Sequence, residues 1–253
     1  MSHRINYNAI AQQYDHQPYR SKMLDSDLVQ FIQEKGTSIL KILDVACGTG
    51  NQLIANHEKY PNMEMVGCDL SQGMIEVARS KNTAITWMEA NLTALPFADE
   101  SFDYVTCQYA FHHVVDKTKG IAEIFRITAH GGRFVMKNIS PHDMQDSLLF
   151  ETFPQALTQD LLDYIPSQEI ISLLEHVGFK NVKLTLERVT FETTLEAFLD
   201  HVSDKQSNSE LSLLSEEDYQ NGLSRLRTQI NACKPQTSRI DQVMLLTIRA
   251  DKI

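Results

Sequence analysis

The sequence has 253 residues, a length at which one α/β domain buries a substantial core. Its 33 acidic residues outnumber the 23 Lys and Arg, and the formal charge of −10 disfavours nucleic acid and anionic membranes as partners. No apolar run approaches the roughly 20 residues of a membrane span, and the N-terminus lacks the apolar core of a signal peptide, so we expect a cytoplasmic protein with no membrane partner.

Strand-like and helix-like segments alternate from about residue 39 to residue 190, which is typical of a parallel sheet covered by helices on both faces. Strands are predicted at 39–45, 63–69, 84–90, 104–108, 133–138, 180–191 and 241–250. Between them, Ser71, Asp116 and Ser167 are predicted to cap helices. We expect Gly131 and Gly132 to end the helix that precedes the fifth strand.

Two segments, 141–166 and 193–235, do not fit this alternation. In the second, Thr193 with Glu196 and Ser215 with Asp218 match capping boxes and predict helices. An apolar stripe at helical spacing there favours a core-facing side over the roof of a substrate pocket. It consists of Tyr219, Leu223, Leu226 and Ile230. We predict one domain over 1–253, in which 193–235 is a helical cap insertion.

The first predicted strand ends in an acid and a small, glycine-bearing turn. Asp44 is followed by Ala46, Gly48 and Gly50, and glycine lets the backbone approach a ligand closely. A carboxylate just before a phosphate cradle would repel a pyrophosphate, but it suits a cationic amino-acid head. This turn therefore favours S-adenosylmethionine as the cofactor.

These residues give the chain a resemblance to class I S-adenosylmethionine-dependent methyltransferases, over roughly residues 5–190 and the final strand. The segment from Asp44 to Gly50 is similar to the first motif of that family, and Asp69 stands where the family binds the ribose hydroxyls. The resemblance implies a Rossmann-like, mostly parallel seven-stranded sheet of order 3-2-1-4-5-7-6 with an antiparallel last strand. The cofactor-binding residues that it implies are Tyr14, Arg20, Asp44, Ala46, Gly48, Gly50, Asp69, Leu70, Met74, Asn91, Leu92 and Gln108.

The segment around residues 91–97 resembles the family's adenine loop. Asn91 departs from the acid found in many relatives, but its amide oxygen still accepts a hydrogen bond. Residues 7–15 resemble the family's lid, so 1–30 is predicted as an N-terminal lid helix. Tyr14 is expected near the sulfonium, and Arg20 either at the methionine carboxylate or on the surface.

Alternatives differ in cofactor and in chemistry. The NAD fingerprint GxGxxG fails because Leu53 occupies its third glycine position. The chain has four cysteines, Cys47, Cys68, Cys107 and Cys233, and the first three stand near predicted strand ends. Their spacing supports neither a metal site nor a disulfide, so we expect neither.

Methyl transfer is an in-line displacement that needs alignment and exclusion of water, with a base for hydroxyl or carbon acceptors. His112 and His113 follow the fourth strand and are the candidate catalytic residues. Since neighbouring residues point in different directions, we favour His113 for the site; the alternative is that one histidine is packed and structural and the other faces solvent.

The sequence thus predicts a methyltransferase that acts on a small molecule at oxygen, nitrogen or carbon, as a monomer or homodimer. Methylation of RNA or protein, a non-catalytic cofactor-binding module and an NAD-dependent oxidoreductase are the alternatives.

Overall fold

The computed structural model describes residues 6–16, 22–37, 39–205, 209–232 and 237–253. In these ranges the strands form a seven-stranded sheet of order β3-β2-β1-β4-β5-β7-β6, which confirms the predicted order. β1 runs parallel to β2 and β4, and the β2–β3 and β4–β5 pairs are also parallel. The strands are β1 (Lys41–Val45), β2 (Glu64–Asp69), β3 (Thr86–Glu89), β4 (Phe102–Gln108), β5 (Thr128–Ile139), β6 (Lys180–Thr194) and β7 (Ser238–Asp251).

Helices connect these strands and precede the sheet. They are α1 (Tyr7–Ile10), α2 (Ser26–Lys35), α3 (Asn51–Lys59), α4 (Gln72–Lys81), α5 (Lys117–Ile127), α6 (Leu148–Thr152), α7 (Pro154–Asp163), α8 (Ser167–Val177), α9 (Leu195–Ser203), α10 (Ser209–Ser212) and α11 (Glu216–Ala232). Short 3₁₀ turns cover Tyr14–His16 and Phe111–His113. The described part of the predicted lid is therefore several short helical pieces.

The predicted caps at Ser71, Asp116 and Ser215 are present, whereas Ser167 is not the residue before its helix but the first residue of α8. Ser71 accepts a hydrogen bond from the Met74 amide, and Asp116 accepts one from the Lys119 amide. The predicted capping box at Thr193 is wrong, because Thr193 still belongs to β6 and the next residue caps α9. Thr194 accepts from the Ala197 amide at 3.1 Å, so the cap is shifted by one residue along the chain.

The start of β5 also differs from its prediction. Gly131 and Gly132 do not separate the helix from the strand, since β5 already begins at Thr128. The Gly131 amide donates to the Lys252 carbonyl at 2.7 Å, and the Lys252 amide donates back to Gly132 at 3.0 Å. These bonds hold the glycines within the strand, with the partner supplied from the far end of the chain.

The chain divides into two compact units. The larger comprises Asn6–Asn138, Gln168–Thr185 and Leu246–Ile253. Its core includes Leu28, Ile42, Leu53, Ile75, Trp87 and Tyr104. The smaller comprises Ile139–Ser167 and Leu186–Leu245, and the core-facing interpretation of the apolar stripe is confirmed there by the burial of Tyr219, Leu223 and Leu226. No helix in the described ranges is long and apolar enough to cross a membrane.

Candidate functional site

The turn after β1 has an unusual backbone. Ala46, Gly48 and Gly50 all have positive φ angles, of 57°, 55° and 79°. Two bonds fix the turn, from the Cys47 amide to the Cys68 carbonyl and from the Gly50 amide to the Cys47 carbonyl, each 3.0 Å long. For alanine the left-handed conformation costs roughly 1–2 kcal/mol, so the surrounding structure imposes it.

The two glycines of this turn have different surroundings. A Cβ on Gly48 would have only Tyr14 Cε1 within 4 Å, at 4.0 Å, so this backbone leaves space for a ligand. A Cβ on Gly50 would lie 2.4 Å from Trp87 Cη2, and one on Gly67 would lie 2.4 Å from Trp87 Cζ3. Gly50, which we predicted as a cofactor contact, therefore also provides room for a buried indole.

Asp69 at the end of β2 is oriented by two backbone amides. Gly48 donates to Oδ2 at 2.9 Å and Ser71 donates to Oδ1 at 2.8 Å. Burial raises the pKa of Asp69, although the bonds from these amides oppose that rise. Each carboxylate oxygen retains acceptor capacity for a ligand hydroxyl. Of the neighbouring predicted contacts, Leu70 is 67% exposed and Met74 is buried.

Asp44 is the most unusual carboxyl of the site. It is 3% exposed, and its buried Oδ1 atom has no hydrogen-bond partner among the described residues. Burial raises its pKa well above the ordinary value, and the charges of Asp25 and Asp69 add to that rise while Lys22 opposes it. A buried acceptor without a donor costs free energy. The cationic amino group of S-adenosylmethionine would supply both a donor and a charge, so these residues fit that cofactor.

The N-terminal segment is fastened to the turn and to α4. Asn8 Oδ1 accepts from Ser71 Oγ and from the Gly73 amide, both at 2.8 Å. Asp15 accepts from Thr49 Oγ1 at 2.6 Å and from Lys81 Nζ at 2.7 Å. Burial alone would raise the pKa of Asp15, but its hydrogen bonds, led by that from Lys81, lower it.

Residues 6–16 are therefore hydrogen-bonded to the turn and to α4, and the role of 1–30 as a lid stays a prediction. Sequence reasoning missed Asn8 and Asp15, whose hydrogen bonds hold this segment in place. The predicted contact Arg20 lies outside the described residues.

The predicted adenine loop is held by an ion pair that sequence reasoning missed. Glu123 accepts from the Leu95 amide at 2.7 Å, and Arg126 donates to the Phe97 carbonyl at 2.7 Å. Arg126 also pairs with Glu123 at 2.8 Å, three residues along α5. Asn91 Oδ1 accepts from the Thr93 amide and hydroxyl, which occupies the oxygen that we expected to face adenine. Leu92 is buried.

The segment after β4 brings both candidate histidines together. Although adjacent, their rings lie 3.9 Å apart because residues 111–113 form a 3₁₀ turn. His112 is buried, and its Nδ1 lies 3.4 Å from Asn138 Nδ2. Burial holds the pKa of His112 well below its ordinary value, with His113 and Lys117 lowering it further.

His113 has a different partner. Its Nε2 is hydrogen-bonded to the Tyr7 hydroxyl at 2.7 Å, and the two rings meet edge to face. Tyr7 lies at the start of α1, so the lid segment touches the histidine that we favoured as catalytic. Gln108, predicted to contact the cofactor, donates to Thr106 Oγ1 at 3.4 Å.

Three cysteines lie near this sheet edge. Cys47, Cys68 and Cys107 are free thiols, and burial raises the pKa of Cys68 to about 12. Among the described residues, no three His, Cys, Asp or Glu side chains are grouped to hold a metal ion. Cys233 lies outside those residues.

Comparisons with known proteins find similarity to methyltransferases. A methyltransferase domain matches residues 42–132. A demethylmenaquinone methyltransferase from Deinococcus radiodurans is 39% identical over 105 residues, which cover 40% of this chain and 44% of that protein. One from Bacteroides fragilis is 28% identical over 177 residues, covering 60% of this chain and 71% of that protein. The chain spans less than half the length of the first curated relatives that it matches.

Solved structures share the fold. A putative methyltransferase of an antibiotic biosynthesis pathway from Anabaena variabilis has a TM-score of 0.64 at 20% identity, covering 88% of this chain and 96% of that one. The YcgJ protein from Bacillus subtilis has a TM-score of 0.61 at 17% identity, covering 89% and 97%. The chain is thus similar to methyltransferases in the domain matched over residues 42–132, and it shares their fold.

Proposed function

We propose that this protein transfers a methyl group from S-adenosylmethionine to a small-molecule acceptor. The observation that carries the proposal is the buried Oδ1 of Asp44, which has no hydrogen-bond partner in the described part of the chain, behind a turn with open space at Gly48. NAD offers no ammonium group to that carboxyl, because the positive charge of its pyridinium ring is on a nitrogen without N–H. The relatives named demethylmenaquinone methyltransferases also support a small-molecule acceptor.

The cofactor would supply an electrophilic methyl group on a sulfonium. Asp44 would balance the amino group, and Asp69, oriented by the Gly48 and Ser71 amides, would accept from the ribose hydroxyls. The Glu123–Arg126 pair would hold the adenine loop through its backbone. Cofactor contacts at Tyr14, Leu70, Met74, Asn91, Leu92 and Gln108 remain predictions.

His113 is the better of the two candidate bases. His112 is buried against Asn138 and neutral at ordinary pH, which favours a structural role. His113 Nε2 is already hydrogen-bonded to a hydroxyl, that of Tyr7, at 2.7 Å. An acceptor hydroxyl or carbon acid would give its proton to this nitrogen, directly or through the Tyr7 oxygen.

Calorimetric titration with S-adenosylmethionine and with NADH tests the cofactor assignment. We expect binding of S-adenosylmethionine, and NADH binding without it would overturn the proposal. Radiolabelled S-adenosylmethionine with a cell metabolite extract then identifies the acceptor from the labelled product. Label found only in RNA or protein, or cofactor binding without any transfer, would favour the alternative functions.

This proposal also predicts that residues 193–235 form a cap over the acceptor and that the protein is cytoplasmic. It further predicts that the protein has no nucleic-acid or membrane partner and is a monomer or homodimer. Size-exclusion chromatography with light scattering tests the last of these.

A further inference from the structure

β6 is the last strand of the sheet order, and no strand of the described residues pairs with its outer edge. An unpaired edge presents a row of N–H and C=O groups to which another strand can bind. β6 is also long, with 15 residues, whereas strands usually have about 5–6. Natural sheets often protect such an edge with Pro or Lys, and residues 185–194 contain neither. This edge is therefore suited to pairing with a further strand.

The second half of β6 is exposed on both faces. From residue 186 onward the strand belongs to the smaller unit. Phe191 is 48% exposed, and Val189 is half-buried. Arg188, Thr190 and Glu192 are exposed. Since successive side chains of a strand point to opposite faces, this stretch has one apolar face and one polar, charged face.

Symmetry restricts how this edge can pair with a second copy of itself. Directly opposite side chains of antiparallel strands lie on the same face, so a two-fold axis between two identical strands is perpendicular to the sheet. Such an axis passes through one residue, which then faces its own copy. Axes at Glu187 or at Arg188 would place like charges opposite each other, which destabilises a strand pair.

An axis at Thr190 gives complementary pairs on both faces. On the polar face, Arg188 of each copy lies opposite Glu192 of the other, and the two Thr190 side chains face each other. On the apolar face, Val189 lies opposite Phe191. Opposite charges, paired threonines and a β-branched residue beside an aromatic one each stabilise antiparallel strands. Within residues 186–194, no other register places opposite charges directly across from each other.

The two charges of this pairing are not neutralised within one copy. In the described part of the chain, neither Arg188 nor Glu192 forms an ion pair. Arg188 Nη1 donates to the neutral Gln242 Oε1 at 3.2 Å. A guanidinium has five N–H donors, so this bond leaves donors for a carboxylate. A second copy would supply the missing opposite charge to both residues.

We propose that two copies of this chain pair antiparallel through residues 188–192 of β6, with the two-fold axis at Thr190. The partner is a second copy because this segment is complementary to itself in charge and in apolar surface. The inference goes beyond the proposed methyltransferase function, does not depend on it, and selects the homodimer over the monomer. One strand from each copy gives a small interface, so we expect a Kd of about 1–100 µM.

Analytical ultracentrifugation of the wild-type protein from about 1 to 300 µM tests the dimer. We expect an equilibrium between monomer and dimer in that range. A protein that stays monomeric at about 300 µM, or that forms larger open assemblies instead of a closed dimer, would overturn the proposal.

Exchange of charges tests the pairing of residues. Arg188→Glu and Glu192→Arg each place like charges opposite each other at two symmetric positions, so each should weaken the dimer by about tenfold or more. The variant with both changes restores opposite charges and should dimerise within about threefold of the wild type. Urea unfolding shows whether each variant is folded. Full dimerisation of both single variants, or no recovery in the double variant, would overturn the proposal.

Glu187→Arg is the matched control. It makes the same charge change at an exposed position of the same strand, but its side chain lies on the other face, opposite Thr193 of the partner. It should leave the Kd of the dimer within about twofold of the wild type. An axis at Thr185 would instead pair Glu187 with Lys183, so disruption by Glu187→Arg and not by Glu192→Arg would overturn the proposed register.

The dimer and the methyltransferase function fail in different ways. Ultracentrifugation needs no cofactor, and calorimetric titration with S-adenosylhomocysteine measures the cofactor site separately. A wild-type protein that binds S-adenosylhomocysteine but stays monomeric would exclude only the β6 pairing. A dimer with the expected response to charge exchange that binds neither S-adenosylhomocysteine nor S-adenosylmethionine would exclude only the methyltransferase function.

Discussion

Gly50→Ala should destabilise the protein through both backbone conformation and packing. At φ +79°, alanine costs roughly 1–2 kcal/mol relative to glycine. Its Cβ would also lie 2.4 Å and 2.8 Å from two Trp87 ring atoms. The ring has little room to move, because Trp87 Nε1 donates to the Asn82 carbonyl at 2.7 Å. Overpacking of this kind adds about 1–3 kcal/mol, so we expect a total loss of about 2–5 kcal/mol.

Two other glycines separate these contributions. Gly36 has a similar φ of +63° and nothing within 4 Å of its would-be Cβ, so Gly36→Ala should show the backbone cost alone. Gly67 has no left-handed φ but the same 2.4 Å approach to Trp87, so Gly67→Ala should show mainly the packing cost. Urea unfolding at equilibrium gives the free energy of each variant.

Trp87→Leu completes the test as a double-mutant cycle. In that background the cost of Gly50→Ala should fall to that of Gly36→Ala. An equal loss at Gly36 and Gly50 in the wild type, or an unchanged cost of Gly50→Ala without the indole, would refute the packing role of Trp87.

Three further predictions concern the candidate site. Burial raises the pKa of Asp44, so the folded state keeps a proton that the unfolded chain releases above about pH 4. The free energy of unfolding therefore falls with rising pH by up to ~1.4 kcal/mol per pH unit. Asp44→Asn should make the slope in urea unfolding between about pH 4.5 and 7 less steep, because only the contribution of Asp44 is removed, and an unchanged slope contradicts the assignment. Asp69→Ala should weaken S-adenosylmethionine binding by about 1.5–3 kcal/mol in calorimetry, and unchanged affinity would exclude the ribose role. Tyr7→Phe removes the 2.7 Å bond to His113, so it should lower kcat by roughly tenfold or more and alter the pH–rate profile. His113→Ala should abolish that profile, and a full rate for this variant would exclude His113 as the base.

Features fixed by neighbouring residues were predicted well from the sequence. The Asp116 and Ser71 caps depend on residues three positions away. The strand order was implied by the family resemblance, which the turn after β1 and the acid after β2 carry. Two other features, one fixed by a distant partner and one by a local turn, were not predicted. β5 begins early because Lys252 pairs with its glycines, and the rings of His112 and His113 meet because a 3₁₀ turn follows β4.

The turn after β1 shows why a glycine pattern alone does not define a ligand contact. Gly48 faces open space near Tyr14, whereas the Trp87 indole from β3 leaves no room for a side chain at Gly50. The sequence alone does not distinguish these two glycines. Loss of activity on changing Gly50 therefore reports on packing, because the added atom meets Trp87 before any ligand. A Cβ added at Gly48 would meet no described atom closer than 4.0 Å. Apart from the backbone cost at a φ of +55°, the effect of Gly48→Ala therefore reports on ligand binding. The affinity of Gly48→Ala for S-adenosylmethionine, compared with its stability, is thus the more direct measure of how the turn binds its cofactor.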